Sequence, residues 1–463
     1  MVFTAYWLAP WRGVRTLLLL AASYYFYMSW NAKLAAVVAG SSLVDYLIAL
    51  AIEDARTTVR RKMLLSVSIV MNLGLLFYFK YANFFLESLH DLLASMGIHG
   101  KMPVLDVILP IGISFYTFEA ISYTVDVYWR RTRAERNPIH FLLFITFFPR
   151  MVAGPIIRAK NFLPQLHRRK KFDFARIDLG LQYVLMGLFK KMAIADRMAC
   201  LADPVYQNPA KYSTDGVWVA VVAYSLQVYC DFSGYSDIAI GTAHMLGFKL
   251  PENFNMPYLA KNIAEFWRRW HISLSTWLRD YVFISLGGSR GSEFRTAVTL
   301  IVTMTLCGLW HGAKWTFVGF GVVQGFMMLT HRYFHRYSKA HEGLKTFLET
   351  RMGEFLRVLV TYWTFIVSLV VFRSQDFATA GAIFHRMFTP QHGTMVRFPI
   401  GPGSLFVAFA TIAVAHLAVE WGVWKKIFDR LSPPLWGLAH VSLALLICEL
   451  GRGDQKSFIY FQF

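Results

Sequence analysis

The sequence predicts an all-α integral membrane protein with about eleven spans, and three observations carry that expectation. Hydrophobic residues make up 56% of the 463 and charged residues only 16%, well under the roughly 25% usual in soluble domains. The mean hydropathy is positive, at +0.41. The apolar residues also gather into long runs, near the approximately 20 residues that cross a hydrocarbon core about 30 Å thick. A soluble protein with a greasy core has no use for so many.

The candidate spans, in order, are 15–30, 34–52, 63–80, 104–127, 139–157, 179–200, 217–243, 297–330 (long enough for two short pieces), 355–372, 404–421 and 435–450. Tyrosine and tryptophan crowd their ends, as in SYYFYMSW (23–30), where amphipathic rings favour the bilayer interface. The first run is followed by YFYMSWNAKL rather than by small residues of a cleavage site, so it reads as a retained span. No repeat and no low-complexity tract interrupts the series, and the chain reads as one polytopic domain, 1–463, with 250–330 as its core catalytic region.

Charge is one-signed: 47 Lys and Arg against 28 Asp and Glu give +19. In a soluble chain that excess suggests nucleic acid. Here the cations cluster between apolar runs, in RTTVRRK (56–62), WRRTRAER (129–136) and HRRKKFDFAR (167–176). That is the positive-inside pattern, and the expected partner is the lipid bilayer, not nucleic acid. Both flanks of 139–157 are basic, and Pro149, Gly154 and Pro155 interrupt it. A broken or re-entrant element is expected there. Basic flanks also bracket 297–330, which sets His311 near the turning point of a hairpin.

Cys200, Cys230, Cys307 and Cys448 fall in or beside apolar runs without any CxxC. Buried small hydrophobes are expected, with neither a zinc knuckle nor a disulfide framework.

The chemistry concentrates between 228 and 330. In AEFWRRWHISLSTWLRDY (264–281), Phe266, Trp270, Leu274, Trp277 and Tyr281 recur every three or four residues. This spacing predicts one amphipathic helix, either lying at the interface or presenting His271 and its cations to a substrate. His311 lies between Trp310 and Gly312 in an apolar, glycine-punctuated run. An ionisable residue in such a run is costly and therefore a functional candidate. A general base for acyl transfer is the leading reading; a structural histidine bonding across helices and a heme or metal ligand are the alternatives. Gly308 and Gly312 leave room for backbone to approach a substrate. His271, beside Arg269 and Trp270, fits either proton transfer or contact with donor phosphate. No carboxylate-rich cluster adjoins the two histidines, so no metal site is expected. In VYCDFSGYSDIAIG (228–241), Asp231 and Asp237 need partners if buried. Arginines of 268–279 are the expected ones, with direct catalysis by Asp231 a lesser reading.

Five pieces together carry a resemblance: FPRMVAGPIIR (148–158), YCDFSGYSDIAIG (229–241), FWRRWHISLSTWLRDYVFISLGG (266–288), GLWHGAKWTFVGFG (308–321) and FIYFQF (458–463). In their order and spread the chain resembles the bacterial branch of the membrane-bound O-acyltransferase family, the branch of alginate O-acetyltransferase and of the teichoic-acid D-alanylation membrane protein. The resemblance implies a ring of about eleven tilted helices, with re-entrant segments, around a central catalytic funnel. It maps the family's two histidines onto His311 and His271, the expected catalytic residues. Arg268, Arg269, Trp270, Ser273 and Trp310 are then the expected donor-binding residues. It further implies no permanently bound cofactor and an acyl donor that is acetyl-CoA or an acylated carrier protein. The acetyl group would cross the bacterial inner membrane to an exported polysaccharide, directly or through a periplasmic or membrane-anchored partner acetyltransferase. The competing class is a transporter-like acyl conduit without bond chemistry.

Overall fold

The computed structural model describes the chain except residues 101, 399–400, 402, 429, 452–455 and 459–463. All but the first residue of the expected FIYFQF motif lies outside the described residues. The described structure is helical, with a single isolated bridge between Tyr212 and Thr394.

The expected count of spans is corrected. Among the described residues, four helices are long and apolar enough to cross a membrane: Ala32–Asp54, Thr58–Ser95, Arg351–Arg373 and Pro433–Leu450. Ser404–Glu420 is apolar but shorter. The ring of about eleven spans with re-entrant segments around a funnel is not found among the described residues. The reason is local. Residues 104–127 become helical only from Ile113. The helix Pro138–Thr146 stops after nine residues. The run at 179–200 divides into Phe174–Leu188, a π-helical turn Phe189–Ala195 and Asp196–Gln207. Thr214–Met245 is one continuous 32-residue helix, but Asp231, Ser233, Ser236 and Asp237 sit within it. Apolar composition predicts helix over much of these runs, but not all of it forms, and a helix is not thereby a span.

The chain divides into two compact units, Met1–Val184 with Ala239–Pro251, and Leu185–Ile238 with Glu252–Phe463. In the first, Ala32–Asp54, Thr58–Leu76 and Ile113–Tyr128 pack on one another. Their shared polar centre is the buried Asp45, which accepts Ser68 Oγ at 2.6 Å and Asn72 Nδ2 at 2.8 Å. Such bonds are what make a carboxylate tolerable among packed helices. After Thr146 the chain turns, and the buried Arg150 donates to Glu119 and to the Phe144 carbonyl. The Ile157 amide adds a bond to Glu119 at 3.0 Å. Gly112, at φ +72°, faces this turn; a Cβ there would come 2.4 Å from the Met151 carbonyl oxygen, so no side chain fits.

In the second unit, Glu293–His311 and Trp315–Ala340 form a hairpin whose turn, 312–314, follows His311 directly. Glycines set its tightness. A Cβ on Gly308 would lie 2.1 Å from the Phe317 oxygen, and one on Gly321 2.4 Å from the Met304 oxygen. Small residues let helices approach this closely. Gly312 is filled likewise, by the Phe317 ring 2.3 Å from an added Cβ. Gly308 and Gly312 therefore serve helix packing, not the substrate approach the sequence suggested.

Candidate active site

The amphipathic stretch at 264–281 is not one helix. Asn262 caps Ile263–Arg269 by accepting the Glu265 amide. That helix ends, His271 takes the left-handed conformation at φ +42°, and Ile272–Leu278 starts anew. A left-handed non-glycine residue costs about 1–2 kcal/mol. Such strain persists only where its surroundings over-determine it, and it points to function. The aromatic stripe did not foretell this, because its spacing runs unbroken across the kink.

Asn253 holds the kink. Its backbone carbonyl accepts the Ile272 amide at 2.9 Å. Its side-chain oxygen accepts the Ser273 amide at 3.2 Å and the Ser273 hydroxyl at 2.9 Å, and faces His271 Nδ1 at 3.2 Å. Its amide nitrogen reaches Ser236 Oγ at 3.3 Å. A backbone N–H can only donate, so the atom facing Ser273 is the oxygen. The same oxygen then requires the proton of His271 on Nδ1. That leaves Nε2 with its lone pair, and Nε2 is buried without a hydrogen-bond partner. Burial, then the nearby His311, hold the His271 imidazole well below its usual pKa. It is a neutral base of fixed tautomer.

The walls are aromatic. Phe232 meets the His271 ring edge-on at 4.5 Å between centroids, and Trp310 lies 5.7 Å away. Trp310 is 5.1 Å from His311, whose other side faces Phe372 at 5.2 Å. His271 is 0% and His311 7% exposed, so this one indole adjoins two buried imidazoles.

The expected donor-binding residues do not converge as a group. Ser273 and Trp310 stand at the histidines. Trp270 is packed among Phe254, Tyr258, Phe266 and Phe365. Arg269 is taken up by Glu265 at 2.9 Å and Glu420 at 3.1 Å. Arg268 is exposed. The aspartates are also paired otherwise than expected: Asp237 with Lys190 at 2.6 Å, and Asp231 with Lys191 at 2.6 Å, where Asp196 joins at 2.9 Å. Both lysines lie on the π-helical turn, which widens one turn of helix. A double lysine inside an apolar run was the available sign, since buried cations need partners. For Asn253 the sequence offered none, because the contact joins residues 18 apart through an irregular loop.

Fold and site define a multi-pass helical membrane protein with paired buried imidazoles. The chain belongs to the membrane-bound O-acyltransferase family, whose model matches residues 130–371. It is 42% identical over 436 residues to the probable alginate O-acetylase AlgI of Pseudomonas aeruginosa, covering 93% of this chain and 80% of that one. It is 36% identical over 389 residues to the peptidoglycan O-acetyltransferase of Helicobacter pylori, covering 78% and 71%. To the teichoic acid D-alanyltransferase of Bacillus subtilis it is 29% identical over 279 residues, covering 58% and 69%. The protein is thus an enzyme, a membrane O-acyltransferase, and the matched region contains Asn253, His271, Trp310 and His311.

Proposed function

We propose that this acyltransferase takes acetyl from acetyl-CoA and delivers it for O-acetylation of an exported or envelope polysaccharide, directly or through a partner acetyltransferase. Alginate is the first acceptor to test, because the alginate O-acetylase is similar over 93% of the chain. The observation that carries the chemistry is the unpartnered Nε2 of His271, fixed by Asn253 and adjoined by Trp310 and His311.

In this reading His311 takes the proton of the acceptor hydroxyl as its oxygen attacks the thioester carbonyl. His271, kept neutral, assists from beside the same indole. The tetrahedral intermediate collapses with cleavage of the carbon–sulfur bond, and the thiolate leaves to be protonated as free CoA. Ser273 and Asn253 orient His271, whereas Trp310 positions both rings. Arg268, exposed and on the same helix as the ion-paired Arg269, suits the donor's phosphates.

The test is purified protein in detergent with labelled acetyl-CoA and acceptor polymer. Free CoA with acetylated polymer or partner supports the reading; bound donor left uncleaved would instead indicate a conduit. An acylated carrier protein offered in place of acetyl-CoA identifies the donor class.

A further inference from the structure

Glu135, His140 and His167 come together in the first unit, outside the histidine pair already described. Their ligand atoms all lie within 4.8 Å of one another. We propose that they form a binding site for a divalent transition-metal ion, zinc by preference, which staples three segments of this unit.

The segments meet with their own supports. Glu135 lies in the loop after Ile113–Tyr128, with its amide donating to Tyr123 Oη at 2.8 Å. The Asn137 amide donates to its carboxylate at 2.9 Å. His140 stands in the first turn of Pro138–Thr146, and His167 is the C-cap of Ala159–Leu166. The His167 carbonyl accepts Arg12 Nη1 at 2.7 Å. The ligands are therefore placed by helix ends and fixed backbone, not gathered from free surface.

The spacing suits a small cation. Glu135 Oε2 is 3.0 Å from His167 Nε2, and Oε1 is 3.8 Å from His140 Nδ1. Two ligands about 2.0–2.2 Å from a tetrahedral zinc stand about 3.3–3.6 Å apart, so the three ligand atoms, all within 4.8 Å of one another, need only small side-chain shifts to close on one ion. The imidazole planes are 80° apart with centroids at 4.7 Å, so the rings do not block each other. Two imidazoles with one carboxylate make a donor set that zinc commonly takes.

An independent observation points the same way. His140 is 7% exposed, and its Nδ1 is buried without a hydrogen-bond partner. It faces Glu135, but 3.8 Å is too long for a hydrogen bond. A buried polar atom left this way costs about 1–3 kcal/mol, and coordination would satisfy it. The His167 side chain is 51% exposed, which leaves an entry path and a fourth position for solvent. The carboxylate supplies the negative charge that a cation needs beside the basic run 167–171. The metal-free counterpart is a simple Glu135–His167 hydrogen bond.

Full-length protein, purified without a histidine tag and stripped with chelator, should take up one zinc per chain by elemental mass spectrometry after dialysis. Zinc should raise its melting temperature, and cobalt in its place should give the visible bands of a tetrahedral site. His167→Gln, half-exposed and tolerant of change, should lose the zinc, the shift and the bands while retaining its fold. His140→Ala should lose them too. Wild type that binds no more zinc than His167→Gln overturns the proposal, as does zinc retained when His140→Ala and His167→Gln are combined.

Discussion

Two polar centres of the second unit, one largely and one fully shielded from solvent, differ in one respect that separates structure from chemistry. In the lysine–aspartate centre, every charge faces an opposite charge: Lys190 meets Asp237, and Lys191 meets Asp231 and Asp196. At the histidine centre, Asn253 satisfies one nitrogen of His271 and leaves the other buried with a lone pair and no partner. A closed network stabilises and specifies packing. An open valence beside a strained backbone is the mark of a site held ready for a ligand. Burial alone does not distinguish the two; complementarity does.

Removing the imidazoles should have the largest effect. His311→Ala and His271→Ala should each lower acyl transfer by roughly 10²–10⁴-fold, the range of general acid–base groups. Both rings are buried, so some fall in melting temperature is expected, but the loss of activity per folded molecule should far exceed it. Polymer acetylation close to wild type in either variant, with normal expression, removes that histidine from the mechanism.

The charged pairs should respond in the opposite manner. Lys190→Met leaves the part-buried Asp237 without its cation, and a polar group left so costs about 1–3 kcal/mol. The matched change Lys190→Met with Asp237→Leu should recover most of the lost thermal stability. Activity per folded molecule should change little in the double variant. A large loss of turnover in a well-folded double variant would assign these charges to the reaction.

Asn253 separates tautomer from mere packing. Asn253→Ala should reduce turnover by about 10–10²-fold, the scale at which orienting partners act, and leave donor affinity unchanged. Asn253→Asp keeps an acceptor for Nδ1–H and adds a negative charge, which favours the imidazolium. Since burial holds the wild-type group well below its usual pKa, the neutral base persists as pH falls. Activity lost to protonation of His271 should therefore appear only in distinctly acid buffer. In the aspartate variant that loss should move to higher pH. An unmoved acid limb in the pH–rate profile would show that His271 protonation does not govern the rate.

How far the sequence reached follows the same division. Local signals were readable: the hairpin around His311, the mixture of cations and aromatics at 264–281, and the family motifs. The count of spans was not, because averaging hydropathy over twenty residues conceals where a helix starts, stops or widens. Phe189–Ala195 looks apolar and helical in sequence, yet its π geometry decides where Lys190 and Lys191 point. The break at His271 was hidden for a related reason: residues on both sides keep helical spacing, and only the contact to Asn253 turns the backbone. Glycines misled in one direction, since the room they leave is filled by neighbouring helix rather than by substrate.

The two neighbouring arginines repeat the contrast between paired and open charge on a smaller scale. Arg269 is closed off by Glu265 and Glu420, at 2.9 and 3.1 Å, while Arg268 beside it is exposed. If exposed charge meets the donor and paired charge holds the helix, Arg268→Gln should weaken acetyl-CoA affinity several-fold. Raising ionic strength should reduce affinity more in wild type than in that variant, because screening acts on the contact already removed. Arg269→Gln should leave affinity and its salt dependence unchanged. Its cost should be slight, within about 0–1 kcal/mol of stability, because the Glu420 side chain is about half exposed and partly exposed pairs contribute little. Donor-binding isotherms at two salt concentrations decide the matter. Identical salt sensitivity in wild type and Arg268→Gln assigns that cation to topology, and a larger defect in Arg269→Gln reverses the roles of the two arginines.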